Sequence, residues 1–448
     1  DLYRGALLQT EVTAMNWLED KRRWLVETNR GDQISARFVA MSNGPLNRPK
    51  LPGIPGINEF KGHTFHTSRW DYAYTGGSPA GQLDGLKDKR VGIIGTGATA
   101  IQCIPHLGAS AAQLYVFQRT PSSVDVRDNR PTDPDWAASL EPGWQQRRMD
   151  NFNVLVSGGF EDEDMVADGW TEIFRNLTGI LPPEGYEHLP KEHLSKASEI
   201  ADFQKMEKVR GRVDRIVKDT KTAEALKPYY RQFCKRPCFH DEYLDTYNRS
   251  TVELIDTRGH GVERLTETGV VVDGVEYEVD CLIFATGFEV GTSYTRRSGY
   301  DVIGANGTKL SEKWCEGAET LHGLHSHDFP NCFFMGLIQN AITPNLPHML
   351  NEQAKLIAYV MGEARSRGAT RVEATAEAEA AYCGLIKKLA KLGEKFFAEC
   401  TPGYYNNEGQ ASSNNGLTAN SYGAGPVEFF KMIDAWRESD DLEGLELR

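Results

Sequence analysis

The sequence has 448 residues, 40% of them hydrophobic and 25% charged, with a formal net charge of −13. That length allows two or three domains with proper cores, the acidic balance argues against nucleic acid or an anionic membrane as the main partner, and no apolar run approaches the ~20 residues of a membrane span. Eight cysteines are scattered without a framework of spacings, which reads as reduced thiols in a cytoplasmic protein.

Residues 12–18, 23–28 and 33–41 read as three strands of a β-meander that ends at Ser42-Asn43-Gly44. Prolines 45, 49, 52 and 55 make residues 48–56 an extended linker. Phe60, Gly62, His66 and Trp70 follow in a stretch without periodicity. On composition alone His66 is a hydrogen-bonded loop histidine and Trp70 a core anchor.

The apolar run 91–94 then meets Gly95-Thr96-Gly97-Ala98-Thr99-Ala100 and an apolar stretch at helical spacing, interrupted by Pro105 and Gly108. This is strand, tight turn and helix start. Gly95 permits the turn, Gly97 lets the backbone approach a pyrophosphate, and Ala100 keeps the helix close to the sheet. The first N–H groups of the helix are left free for phosphate. The next strand, 113–117, ends in Gln118-Arg119-Thr120, where a site for NAD would carry Asp or Glu. A cation and a hydroxyl there favour NADPH, because Arg119 can bond a 2′-phosphate.

Residues 127–230 read as a mostly helical insertion, with helices over 144–153, 199–214 and 220–226 and a loop at 181–185. It shows no catalytic constellation, and most of its charges read as solvated faces. Cys234, Cys238 and His240 lack a fourth metal ligand, and Lys235 and Arg236 are by themselves two surface cations. Strands follow at 252–256, 270–272 and 276–279, and a further one from Asp280 runs into Ala285-Thr286-Gly287, where small residues allow close passage beside a ligand. His322, His325 and His327 lack helical spacing and read as structural, so no metal is expected there either. Residues 336–345, which include Gln339, Thr343 and Asn345, lead into a helix at 346–365 whose N-terminus suits cofactor contacts. A helix over 372–400, with Leu385, Leu389, Leu392 and Phe396 on one face, and another over 427–438 close the chain. Between them, 401–409 is a polar aromatic loop of the kind that lines an entrance.

The spacing Phe60-x-Gly62-x-x-x-His66-x-x-x-Trp70, shortly before a glycine turn, resembles the fingerprint of Baeyer–Villiger monooxygenases, flavin enzymes that insert oxygen beside a ketone. Lys235-Arg236, Ala285-Thr286-Gly287 and 336–345 look like further segments of that family, and the resemblance spans essentially the whole chain. It implies an α/β fold with two dinucleotide-binding, Rossmann-like domains: an FAD domain of residues 1–54 and 288–448, an NADP domain of 55–126 and 231–287, and the insertion 127–230. It implies FAD and NADPH as cofactors, with O2 and a bulky or cyclic ketone as substrates. Arg236 and His66 take the catalytic roles, and Lys235 reaches the NADP phosphate. Gly95 to Ala100, Arg119, Thr120, Ala285, Thr286, Gly287, Gln339 and Asn345 complete the cofactor contacts. Such enzymes carry two glycine turns, and one is found. The FAD domain is therefore expected to be N-terminally incomplete, and the chain by itself to need an upstream segment to hold FAD. The alternatives are an N- or S-oxygenating flavin monooxygenase, disfavoured by Trp70-Asp71, and a non-catalytic NADP-binding remnant.

Overall fold

Five parallel strands form the largest sheet, in the order Val252–Asp256, Gln113–Gln118, Arg90–Ile94, Cys281–Phe284, His63–His66. Their apolar runs follow from burial on both faces: Val91, Ile93, Leu114, Val116, Leu282 and Ile283 are fully buried. The computed structural model describes residues 2–178, 191–410 and 421–448, so the loop expected at 181–185 lies outside the described residues. The chain divides into two compact units, one of Pro49–Arg148 and Asp162–Phe288, the other of Asp1–Arg48, Met149–Glu161 and Glu289–Arg448.

In the first unit the helix Ala98–Ser110 buries Ala100, Ile101, Ile104 and Leu107 on the sheet. It runs straight through Pro105 and Gly108, contrary to the expected interruption. The lost hydrogen bond at Pro105 is offset by burial of its ring. At Gly108 a Cβ would stand 2.7 Å from Thr246 Cγ2, so the glycine is there for close approach. A small antiparallel sheet, Arg264–Leu265, Gly269–Val272 and Val275–Glu278, covers Phe117 and Leu282. The longest helix, Lys191–Ile216, packs Val213 on the core of the parallel sheet. Most charges of this segment were expected to be solvated; Asp202, Lys205 and Arg212 of this helix are exceptions and lie buried.

In the second unit Val12–Leu18, Arg23–Thr28 and Gln33–Ala36 form the meander, with Val302–Ile303 added in parallel on its outer side. The third strand expected over 33–41 breaks in two. Val39–Met41 leaves the meander to pair in parallel with Cys332–Phe334, drawn by packing of Phe38 on Phe333 and by the bond from Arg37 Nη2 to Ala369 O. Trp24, fully buried, centres this core and donates its indole N–H to Pro330 O at 2.8 Å. The helix expected from 372 starts at Ala376, capped by Thr375, whose hydroxyl oxygen accepts the Ala378 N–H. Val372–Ala374 is instead a strand paired with Leu445–Leu447. Tyr382 and Ile386 carry the buried face of that helix; Leu385 and Leu389 are half-buried, and the side chain of Leu392 lies outside those described. Cys103, Cys238, Cys281, Cys315, Cys332 and Cys383 are free thiols. The expectation of uniformly reduced cysteines fails for Cys234 and Cys400, which are disulfide-bonded.

Candidate functional site

In the unit with the parallel sheet, the chain leaves Arg90–Ile94 to build two strands on one side, then returns to build Cys281–Phe284 on the other. That reversal opens a crevice at the carboxyl ends of the strands, and the glycine turn stands in it. Gly95 has φ +111°, and a Cβ there would lie 2.6 Å from Ala285 O. Gly97 is the N-cap of Ala98–Ser110, with no side-chain cap, and a Cβ there would meet no protein atom within 4 Å. The space before Ala98, Thr99 and Ala100 is thus an open cradle at a helix N-terminus, which suits a pyrophosphate.

The Thr96 side chain faces inward instead. Its hydroxyl donates to Thr120 O at 2.9 Å, and Ser122 Oγ donates to Thr96 O at 2.7 Å. The turn is thereby locked to the strand end that carries Arg119, which is exposed. Tyr230 ties the same strand end to the Lys235 segment: its hydroxyl donates to Pro121 O at 3.0 Å and accepts the Ser123 N–H at 2.9 Å. Lys235 Nζ stands 5.8 Å from the Tyr230 ring centre. Arg236 is exposed, its guanidinium 5.8 Å from the ring centre of Trp170. Tyr230 and Trp170 were missed in the sequence; a tyrosine pair just before Lys235 was a signal for the first, and nothing marks the second.

His66 ends the edge strand, beside Phe284 in register. Its Nδ1 takes the Ser68 hydroxyl at 2.8 Å and the Ser68 N–H at 3.2 Å, so the neutral ring carries its proton on Nε2, which is buried without a hydrogen-bond partner. Burial lowers the pKa of the ring; the Gly287 carbonyl opposes this and Arg69 adds to it. The Ala285–Gly287 turn is fixed by Thr286 Oγ1 donating to Lys50 O and by the Lys50 N–H donating to Gly287 O at 2.9 Å. The other three fingerprint residues build the sheet edge. Phe60 folds over Gly62, where a Cβ would lie 2.4 Å from Phe60 Cζ. Trp70 packs edge-on against Phe65 and donates to Thr75 Oγ1 at 3.0 Å. Of the four, His66 alone stands at the carboxyl end of a strand.

In the other unit, Gly336 follows Cys332–Phe334 at φ +130° with open space where a Cβ would be. Gln353 clamps it from both sides, accepting its N–H at 3.0 Å and donating to its carbonyl at 2.9 Å. Gln339 turns its side chain inward: Oε1 accepts the Thr320 N–H at 3.0 Å and the Thr320 hydroxyl, and Nε2 donates to Ala318 O at 2.8 Å. Asn345 caps the helix Leu346–Ser366 at the His348 N–H, 3.2 Å, and its own N–H meets Thr343 Oγ1. Thr343 donates in turn to Asn153 Oδ1 at 3.1 Å. These side chains hold the 336–345 loop in shape.

His322 and His325 are buried, and burial pushes their pKa values down to about 4 and about 3. Among the described residues, His327, Asp328 and Glu373 bring possible metal-ligand atoms within 4.8 Å of one another. Glu373 is neutralised by Arg371 at 2.7 Å, and His327 Nδ1 is engaged by Ala374 O.

No protein-family model matches the chain. A neopentalenolactone D synthase of Streptomyces avermitilis is 59% identical over 450 residues, covering all of this chain and 75% of that protein. A Baeyer–Villiger monooxygenase of Streptomyces coelicolor is 48% identical over 444 residues, covering 98% of this chain and 72% of its own length. This chain belongs to the Baeyer–Villiger monooxygenase family. A third relative, an FAD-binding monooxygenase of Hypomyces subiculosus, is 44% identical over 438 residues, covering 98% and 72%. Among solved structures, a polycyclic ketone monooxygenase of Thermothelomyces thermophila matches all of this chain and 74% of its own, with a TM-score of 0.89 at 39% identity. A steroid monooxygenase bound to NADP matches all of this chain and 82% of its own, with a TM-score of 0.78 at 27% identity. The fold is the two-domain α/β architecture, with Rossmann-like sheets, of these Baeyer–Villiger enzymes.

Proposed function

We propose that the protein is an NADPH- and FAD-dependent monooxygenase that inserts one atom of O2 next to the carbonyl of a bulky or cyclic ketone, giving an ester or lactone. The observation that carries this reading is the open helix N-terminus at Gly97, flanked by Arg119 at the strand end where an NAD site would place an acid. The substrate class rests on relatives named for pentalenolactone synthesis and polycyclic ketones. We assign residues 55–126 and 231–287 to NADP binding, 1–54 and 288–448 to FAD binding, and 127–230 to the insertion. A cytoplasmic setting, where NADPH is regenerated, suits this chemistry.

The cofactors when bound supply hydride transfer from NADPH to FAD and activation of O2. The chain holds and orients them. Gly95 to Ala100 cradle the pyrophosphate, with the helix dipole behind it. Arg119, Thr120 and Lys235 take the 2′-phosphate. Arg236, permanently charged, stabilises negative charge that develops during oxygen transfer. His66 is held neutral at the carboxyl end of its strand beside the Ala285–Gly287 turn, and that turn lets the main chain pass close to the dinucleotide. Gln339 and Asn345 serve the flavin by shaping the 336–345 loop.

The test is product analysis with the full enzyme, offered a fused-ring ketone and a tertiary amine, with NADPH or NADH. Lactone formed from the ketone with NADPH is the expected outcome. Amine oxide without lactone would make it an N-oxygenating enzyme, and cofactor binding without any turnover would make it a remnant.

A further inference from the structure

The helix Lys191–Ile216 directs charged side chains into the interior of its unit, and each ends on or beside the segment that bears Lys235 and Arg236. Asp202 is 7% exposed, Lys205 4% and Arg212 5%. Asp202 Oδ1 accepts the main-chain N–H of Gln232 at 2.9 Å, and Oδ2 lies 3.5 Å from Arg231 Nε. Arg210 donates to Pro228 O at 2.9 Å. Arg212 donates to Val124 O at 3.0 Å and to His240 O at 2.9 Å. The short strands Val124–Asp125 and Cys238–Phe239 pair in parallel beside Arg236. Lys205 Nζ fastens them, meeting Asp125 at 2.5 Å and Glu172 at 2.9 Å. Glu172 shares its helix, Gly169–Thr178, with Trp170, whose ring lies against both Arg236 and Phe239. One helix therefore grips the segment at Pro228, Gln232 and His240.

A helix that only fills space would present apolar residues here, because each buried charge costs several kcal/mol of hydration unless it is paired and hydrogen-bonded. Asp202 and Arg212 are paired to the main chain of the functional segment and of the strand beside it, and Lys205 to the carboxylates of Asp125 and Glu172. Burial pushes the Asp202 carboxyl above its ordinary range even though the Gln232 N–H and Arg231 pull it down.

We propose that this charged face is a positioning element for Lys235 and Arg236, with Asp202 as the positioning residue that sets where the pair meets NADPH. The proposal rests on the reading above that the pair binds the dinucleotide. Asp202 acts through the Gln232 main chain, shortly before Lys235, and Lys205 acts through the strand pair beside Arg236.

In the full enzyme, NADP+ affinity is measured by titration calorimetry for Asp202→Ala, Asp202→Asn and Lys205→Met, beside Lys235→Ala and Arg236→Ala, with melting temperature and flavin content taken for each. The expected result is a Kd raised about ten-fold by Asp202→Ala and by Lys205→Met, with recovery toward the parent value in Asp202→Asn, which keeps the accepting oxygen, at an unmoved melting temperature. Unchanged affinity in Asp202→Ala and Lys205→Met, while Lys235→Ala weakens binding, overturns the proposal and leaves the NADPH reading standing. Unchanged affinity in both Lys235→Ala and Arg236→Ala overturns that reading and the proposal with it. Affinity and melting temperature that fall together without rescue by Asp202→Asn mark a structural role and also overturn the proposal.

Discussion

On the proposed function, Arg119 is the residue on which the choice of reductant turns. It stands exposed just past the strand Gln113–Gln118, with the glycine turn locked beside it through Thr96 and Thr120. A guanidinium held there makes charge-assisted bonds to a 2′-phosphate worth roughly 1.5–3 kcal/mol, a factor of about 10 to 100. Arg119→Ala is therefore expected to lower kcat/KM for NADPH by that factor and to leave the weaker NADH reaction nearly unchanged, as read by steady-state kinetics with each reductant. An equal loss with both reductants would remove Arg119 from the phosphate. Its position past a strand end, beside the glycine turn, was legible in the sequence because it is local: a strand, a turn and the next strand end. Trp170 and Asp202 were not legible. Each reaches the Lys235–Arg236 segment from a distant helix, and nothing in its own neighbourhood distinguishes it from a surface residue.

At the scale of elements, the glycine turn separates what the fold needs from what a ligand needs. Gly95 is required by the fold, since its φ is +111° and a Cβ would be driven into Ala285 O. Gly95→Ala should cost about 1–3 kcal/mol of stability and weaken NADPH binding as a consequence. Gly97 has an ordinary φ of −78° and empty space where a Cβ would be. Gly97→Ala should stay within about 0.5 kcal/mol of the parent and still bind NADPH more weakly, because the new methyl group occupies the cradle alone. Thermal unfolding of both variants, with a dinucleotide titration of each, checks the contrast; a destabilised Gly97→Ala would show the cradle to be part of the fold. Elements whose pairing is local, such as the meander hairpins and the strand–turn–helix, were readable from the chain. The errors came where a distant partner decides. Val39–Met41 is captured by Cys332–Phe334, and Val372–Ala374 by Leu445–Leu447. Helix Ala98–Ser110 survives a proline because tertiary burial outweighs propensity.

At the scale of the whole molecule, the α/β class followed from the family resemblance carried by the Phe60–Trp70 fingerprint and the glycine turn, whereas the buried polar interior did not show in the sequence at all. His322 and His325 illustrate this. Three histidines in one loop read as structural without any sign of where they lie; two of them lie inside, where their rings pack against Trp436, Tyr382 and Phe333. Burial holds both neutral, with folded-state pKa values of about 4 and about 3 against 6.5 ordinarily. As pH falls below 6.5, the unfolded chain takes up both protons and the folded chain takes up neither. Their contribution is therefore complete above that pH and declines as acid is added, at about 1.4 kcal/mol per pH unit for each histidine. Carboxylates held by cations, such as Asp280 beside Arg90, resist protonation in the fold and add their own loss only at lower pH. The window from about pH 6.5 to 5 thus belongs mainly to the buried histidines. His325→Leu, which keeps an apolar side chain against Phe333, should make the fall in stability across that window shallower by about 1.4 kcal/mol per pH unit. Urea unfolding at a series of pH values measures the slope. An unchanged slope would mean that His325 is protonated inside the fold and that some anion or opening of the loop accommodates its charge.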